Sequence, residues 1–363
     1  MNLEFTYIFY YLGVFILTLI LSRFVFSRYV GFAKRFNLVK VQSVRASHKG
    51  QVFTGGGVVY AAVIMVASLV LDDLDFVEFS NFSPVIATSI LVSVLGFYDD
   101  FTDISAFQKY IILTFLILML IYSNATIPLI QNLNGFLGIY SIEFIPGLIF
   151  TSFVFLSIMN AINLTDGIDG YLAIFSIYFF ISFLRINDIN NFYTLSSVSV
   201  ILIASSTMFI RYNFSKGKKL FIGDAGSLFI GFWMATFLIT HITSATTANV
   251  VQVFSIKPEN MPVIAISMIS VPVMDTLRVM LVRVLRKTSP FSADNNHLHH
   301  ILLNNGLSHL RTSITLTFIN GVICIGIFLI EQYFNSFELT SIYILINTFW
   351  LIFFEYFNRR GKN

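Results

Sequence analysis

Residues 84–100 read PVIATSILVSVLGFYDD, an uncharged run closed by two adjacent aspartates. A bilayer core of about 30 Å takes about 20 apolar residues as a helix. Acids are costly inside that core, so Asp99 and Asp100 mark its edge. Runs of the same kind recur along the chain near 5–26, 52–71, 105–122, 144–159, 171–184, 195–210, 228–241, 261–280, 312–330 and 339–357. The stretch at 84–98 brings the expectation to about eleven transmembrane helices.

The composition excludes the other classes. The 363 residues are 56% hydrophobic and 11% charged, with a mean hydropathy of +0.80. A soluble domain carries about 25% charge. Disorder fails for lack of polarity, and a disulfide scaffold fails because Cys324, the single cysteine, sits in an apolar run. The expected fold is an all-α polytopic integral membrane protein, read as one domain over 1–363 with no repeat or long linker. Met1–Phe26 has neither a basic n-region nor a small-residue cleavage site and reads as a retained helix.

Short cytoplasmic loops collect Lys and Arg. With the N-terminus outside, all but Arg185 and Lys257 of the 22 basic residues fall on the cytoplasmic side. The opposite loops carry Asp72, Asp73, Asp75 and Glu78 instead. The resulting basic cytoplasmic face suits anionic lipids and phosphorylated substrates. Orientation alone also accounts for most of these charges, and no nucleic-acid partner is expected.

Under that topology three acidic motifs share the cytoplasmic face: GFYDD with Asp99 and Asp100, NAINLTDGIDG with Asp166 and Asp169, and FIGDAGS with Asp224. Clustered carboxylates repel unless a cation neutralises them, and hard oxygen donors suit Mg²⁺ bridging to substrate phosphates. Each motif has a plainer account. The Asp pair is also a solvated helix end, NLTDGIDG an ordinary Asn/Asp/Gly turn, and Asp224 a helix cap. Together on one face they point to metal-assisted phosphate chemistry with Mg²⁺, or Mn²⁺ in its place.

The segment FSADNNHLHHIL carries His297, His299 and His300. Zinc is one account of three close histidines, but no cysteine lies nearby. Imidazoles that hydrogen-bond a diphosphate or a sugar are the other. Further upstream, RASHKGQVFTGGG brings His48 and Lys49, candidate phosphate ligands, next to Gly55–Gly57. No GK[ST] follows, so packing is the expected role of the glycines. Lys109, ten residues past Asp99, pairs with a carboxylate or a lipid phosphate, or snorkels to the interface.

At these residues the chain resembles the polyprenyl-phosphate N-acetylhexosamine-1-phosphate transferase family. GFYDD, NAINLTDGIDG, FIGDAGSLFIGF, PVMD and HLHH occur in that family's order across residues 45 to 301. The resemblance implies transfer of a sugar-1-phosphate from a UDP-N-acetyl sugar to undecaprenyl phosphate, with release of UMP. Asp224 resembles the Mg²⁺ ligand. Asp99 resembles the general base of the lipid-phosphate pair, with Asp100 positioning or supporting the metal. Asn163, Asp166, Gly167, Asp169 and Asn213 resemble the nucleotide site, and Phe221 the aromatic that stacks on uracil. His297, His299 and His300 resemble the diphosphate and sugar loop.

The HxHH spelling is similar to the branch that starts O-antigen and related envelope polysaccharides, lipopolysaccharide among them. The branch using MurNAc-pentapeptide for the cell wall has consecutive histidines and is the runner-up. Departures are clear as well. RASHKGQVFTGGG lacks a Pro and an Arg common in the O-antigen branch, Asn295 and Asn296 follow Asp294 where an acidic-basic pair is usual, and Lys216, Lys218 and Lys219 stand where prolines are common. Direct attack by the lipid phosphate and a double displacement through an aspartyl phosphate both fit these residues. A homodimer is compatible with them. A secondary transporter would instead carry its aspartates at the midplane in repeated halves, and a membrane scaffold would use the acidic loops to bind partners.

Overall fold

The computed structural model describes residues 3–39, 52–74, 77–102, 104–123, 129–215, 217–245, 249–289 and 297–360. His48 and Lys49 lie outside the described residues, as do Lys216, Asp294, Asn295 and Asn296. In chain order the helices are α1 (Leu3–Arg35), α2 (Gly57–Asp73), α3 (Ser83–Thr102), α4 (Ala106–Tyr122), α5 (Phe144–Thr165), α6 (Tyr171–Ile189) and α7 (Tyr193–Asn213). There follow α8 (Gly223–Thr243), α9 (Asn249–Phe254), α10 (Met261–Ser267), α11 (Ser270–Leu285), α12 (Leu298–Asn304), α13 (His309–Ile330) and α14 (Ser336–Arg360). A short antiparallel hairpin, β1 (Asn132–Phe136) and β2 (Ile139–Ser141), precedes α5.

Helix dominates because hydrocarbon offers no partner for a backbone N–H or C=O, and a helix satisfies both within one segment. The expected all-α membrane fold is what the chain adopts. Eight helices are long and apolar enough to cross a bilayer, and α10 with α11, bent by 74° at their junction, makes a ninth if read as one span. The apolar runs at 52–71 and 105–122 form α2 and α4, each of 17 residues. By length and composition eight or nine helices among the described residues are candidates to cross, against the eleven expected, and the two shorter helices stand outside that count.

The chain divides into two compact units. The first comprises Met1–Thr126 and Ser176–Trp233. In it α1 packs along α7 and α2, α2 on α3 and α7, and α3 on α4. Its core is aromatic: Phe26 meets Tyr60 edge-on with ring centroids 6.0 Å apart, and Phe209 and Phe229 close around the same tyrosine. Quadrupoles favour such tilted contacts over face-to-face stacks.

The second unit comprises Ile127–Phe175 and Met234–Asn363. There α11 packs on α5 and α13, and α10 on α13 and α14. The break between α10 and α11 frees backbone groups in an apolar setting. Asn320 of α13 serves them, accepting from Val271 N–H at 2.8 Å and donating to Met268 O at 2.8 Å. Asn347 of α14 accepts from the Ser270 hydroxyl at 2.7 Å. A broken helix persists at such depth only where side chains satisfy what the break exposes.

Candidate active site

In the first unit the chain from Phe53 to Gly57 zips onto residues 219–222. Phe221 N–H donates to Phe53 O at 2.8 Å, Gly56 N–H to Phe221 O at 2.9 Å and Gly57 N–H to Ile222 O at 2.9 Å. This brings the starts of α2 and α8 into contact. A Cβ on Gly57 would overlap the backbone of Gly226, so the glycines of the GGG run serve close packing. Gly223, at φ +69°, turns the chain into α8 in a conformation that favours glycine. A Cβ there would collide with the Asp100 carboxylate.

Asp100 explains that crowding. It is buried on the last turns of α3, and its Oδ1 accepts the Asp224 backbone N–H at 3.1 Å. The first N–H groups of a helix lack intrahelical partners, so Asp100 caps α8 from a neighbouring helix. Asp224 itself stands in the first turn of α8 with its carboxylate partly exposed.

Asp99 points the other way around α3. Its Oδ1 accepts Ile104 N–H at 2.9 Å, which fixes the turn into α4, and its Oδ2 takes the Lys109 ammonium at 2.7 Å. A capping box of Ser105 and Gln108 starts α4 and sets Lys109 one turn in. The same ammonium reaches Asp224 Oδ2 at 2.5 Å. Lys109 thus pairs with carboxylates, one from α3 and one from α8.

Two carboxylate oxygens aimed at one cation are a donor set suited to Mg²⁺, which takes one or two protein carboxylates and completes its shell with water and phosphate oxygens. No cluster of three or more His, Cys, Asp or Glu ligands occurs among the described residues. A dedicated protein cage such as a structural zinc site is therefore not formed by them.

Asn213 and Phe221 flank this cluster in sequence. Asn213 is buried at the end of α7, and its Nδ2 donates to Leu220 O at 2.9 Å, closing the connection into α8. Phe221 is half-buried and has the Lys219 ammonium 5.4 Å from its ring centroid.

In the second unit α5 ends in the turn of NLTDGIDG. Asn163 and Asp166 are half-buried at that end, and Gly167 is exposed. Asp169 is buried, and its backbone N–H donates to His309 Nδ1 at 3.2 Å, with the carboxylate 3.7 Å from the same nitrogen. Ser313, also on α13, donates to Asp169 O at 3.1 Å. The first two turns of α13 therefore hold the loop.

The histidine segment lies in the same unit. His297 precedes α12, and His299 and His300 lie in its first turn. His299 is buried and packs on Gly167, where a Cβ would strike the imidazole. Burial first, and the neighbouring His300 second, push the His299 imidazole down to about 3, so it is neutral at physiological pH. His300 is the partly exposed member of the three.

Sequence reasoning gave no role to three residues in these clusters, although one of them closes the PVMD motif. His309 lacks ligand spacing, and its partner Asp169 lies far along the chain. Asp275 and Arg278, joined at 2.8 Å, sit inside an apolar run. An acid within such a run followed by an arginine at i+3 is the signal that could have found them.

The pattern of glycosyl transferase family 4 matches residues 82–242. Decaprenyl-phosphate N-acetylglucosaminephosphotransferase of Mycobacterium leprae is 28% identical over 278 residues, covering 74% of this chain and 69% of that protein. Undecaprenyl-phosphate alpha-N-acetylglucosaminyl 1-phosphate transferase of Escherichia coli O157:H7 is 29% identical over 294 residues, covering 78% and 74%. A probable undecaprenyl-phosphate N-acetylglucosaminyl 1-phosphate transferase of Bacillus subtilis is 28% identical over 277 residues, covering 74% and 67%. Beside its all-α membrane fold, the chain is thus similar over about three quarters of its length to polyprenyl-phosphate N-acetylglucosamine-1-phosphate transferases.

Proposed function

We propose that this enzyme transfers an N-acetylhexosamine-1-phosphate from a UDP-sugar to undecaprenyl phosphate at the cytoplasmic face of the bacterial inner membrane. The products are UMP and a lipid-diphosphate sugar, which would start O-antigen or another envelope polysaccharide. The observation that carries this reading is the Lys109 ammonium shared by Asp99 and Asp224. A cation held between two carboxylates at helix ends suits a reaction in which two phosphate groups must approach each other.

An oxygen of the lipid phosphate attacks the β-phosphorus of the donor, and the bond from that phosphorus to the bridging oxygen breaks as UMP leaves. Asp99 takes the proton of a monoprotonated lipid phosphate. Lys109 offsets negative charge where the two phosphates meet, an effect strengthened away from bulk water. Asp100 keeps Asp224 in register through the α8 cap. Asp224, with Asp99, would hold Mg²⁺, or Mn²⁺, which when bound neutralises the diphosphate and the departing UMP. In this reading Asn163, Asp166, Gly167 and Phe221 serve the nucleotide, with Asp169 and Asn213 ordering their loops. The histidine segment serves the sugar diphosphate.

The test is UMP release by the purified protein with undecaprenyl phosphate and Mg²⁺ against a panel of UDP-N-acetyl sugars that includes UDP-MurNAc-pentapeptide. Release with a simple hexosamine donor, abolished by EDTA, is expected. Release with the pentapeptide donor alone would move the enzyme to cell-wall synthesis, and silence across the panel from folded protein would overturn the reading.

A further inference from the structure

The seven-residue helix α12 has no cap of its own: the His297 side chain makes no capping bond. A helix this short is marginal unless something outside it satisfies its first N–H groups. Asp275, buried on α11, does so. Its Oδ2 accepts the Leu298 backbone N–H at 3.1 Å and faces His297 Nδ1 at 3.0 Å, while its Oδ1 takes Arg278 Nη2 at 2.8 Å. A carboxylate beside a guanidinium only accepts, so the proton of that imidazole contact sits on Nδ1 and fixes the orientation of the ring.

The orientation propagates along the segment. His297 stacks parallel to His299 with centroids 5.7 Å apart, His299 meets His300 at 4.2 Å, and His300 N–H donates to His297 O at 3.0 Å. His297 and His299 are buried, and His300 is turned partly outward. A neutral Asn has a single acceptor oxygen, too few for the Leu298 N–H, His297 and Arg278 that the two carboxylate oxygens serve together. What the charged group adds is the fixed imidazole and, through it, the placement of His300.

We propose that Asp275 is a positioning residue of the transferase: by clamping His297 and the first N–H of α12, it presents His300 to the sugar-diphosphate end of the donor. This rests on the transfer reaction proposed above.

The test uses full-length protein in detergent carrying Asp275→Asn, His300→Ala, or both. Hydrogen exchange over residues 297–304 is read first and needs no turnover. It should accelerate in Asp275→Asn while the remaining helices exchange as in wild type, and unchanged exchange would overturn the clamp. Kinetically, donor KM should rise about tenfold with kcat and lipid KM little changed, as for lost ground-state binding. The double variant should be no worse than the worse single one, and additive losses or a fall in kcat alone would overturn the positioning role.

If Asp275→Asn does not fold, His297→Asn and His297→Leu replace it. The Asn amide can stand in for Nδ1–H and should keep donor KM near wild type, whereas Leu should raise it, and equal behaviour would overturn the proposal. A wild-type enzyme silent on every UDP-sugar would sink the reaction, while the exchange result would still decide the clamp.

Discussion

Asp100 accepts the backbone N–H of Asp224 at 3.1 Å, so one acid of the adjacent pair caps the helix that carries the acid of the GDAGS motif. Its neighbour Asp99 reaches the same helix through a different route, the shared ammonium of Lys109. Two consecutive residues on α3 thereby do separate work, one on backbone and one on charge. Substitutions at the two positions should have distinguishable consequences.

Asp100→Ala removes the cap. Stability should fall by about 1–2 kcal/mol, the usual cost of a lost helix cap, and turnover should fall with it because Asp224 loses its register. Thermal unfolding in detergent beside UMP release checks this. Unaltered unfolding would mean that the cap contributes nothing.

Asp224→Asn keeps the backbone N–H that Asp100 binds and removes only charge at the side chain. Turnover should drop by about 10²–10³ while the unfolding midpoint stays close to wild type. Wild-type turnover in the variant would exclude Asp224 from the metal site.

Lys109→Met leaves Asp99 and Asp224 facing each other without their shared cation. Like charges so placed repel, so the variant should unfold at lower temperature in EDTA. Millimolar Mg²⁺ should recover more stability in the variant than in wild type. Equal responses to Mg²⁺ would show that these two carboxylates do not share a divalent ion.

Gly57→Ala puts a methyl group into the backbone of Gly226, whereas a Cβ on Gly13 of α1 meets nothing within 4 Å. Overpacking should destabilise Gly57→Ala by about 1–3 kcal/mol. Gly13→Ala should be neutral or slightly stabilising, since alanine is the better helix former. Unfolding of the two variants in parallel tests the close approach of α2 and α8.

His299 gives a pH dependence of defined sign. Its imidazole is held down to about 3 in the folded protein, against about 6.5 in an unfolded chain. Below pH 6.5 the unfolded state takes up a proton that the folded state refuses, so this group lowers stability as pH falls from 6.5 toward 3. At pH 5 the loss is about 2 kcal/mol. Unfolding midpoints from pH 7 to 4 should fall less steeply in His299→Leu than in wild type, and parallel curves would reject the shift.

Much of this was legible in the chain itself. Uncharged runs such as 84–98 can only be buried in lipid when so few charges exist to cover them, which made the all-α membrane class readable from composition. The acids at the run ends were legible for the same reason, because hydrocarbon excludes them from mid-span. Glycines at 55–57 with no GK[ST] after them read as packing residues, and Gly57 against Gly226 is a packing contact.

The sequence by itself determined the class, the motifs and the residue types available for phosphate chemistry, since these follow from local hydropathy and from what each side chain can donate or accept. Tertiary structure alone decided which acid caps, which acid shares Lys109, and which histidines are buried. Lys109 and Asp224 are separated by 115 positions, and Asp275 and His297 by 22. Contacts over such separations depend on how helices pack, and helix packing is set by side-chain fit across the whole bundle rather than by any local run of residues.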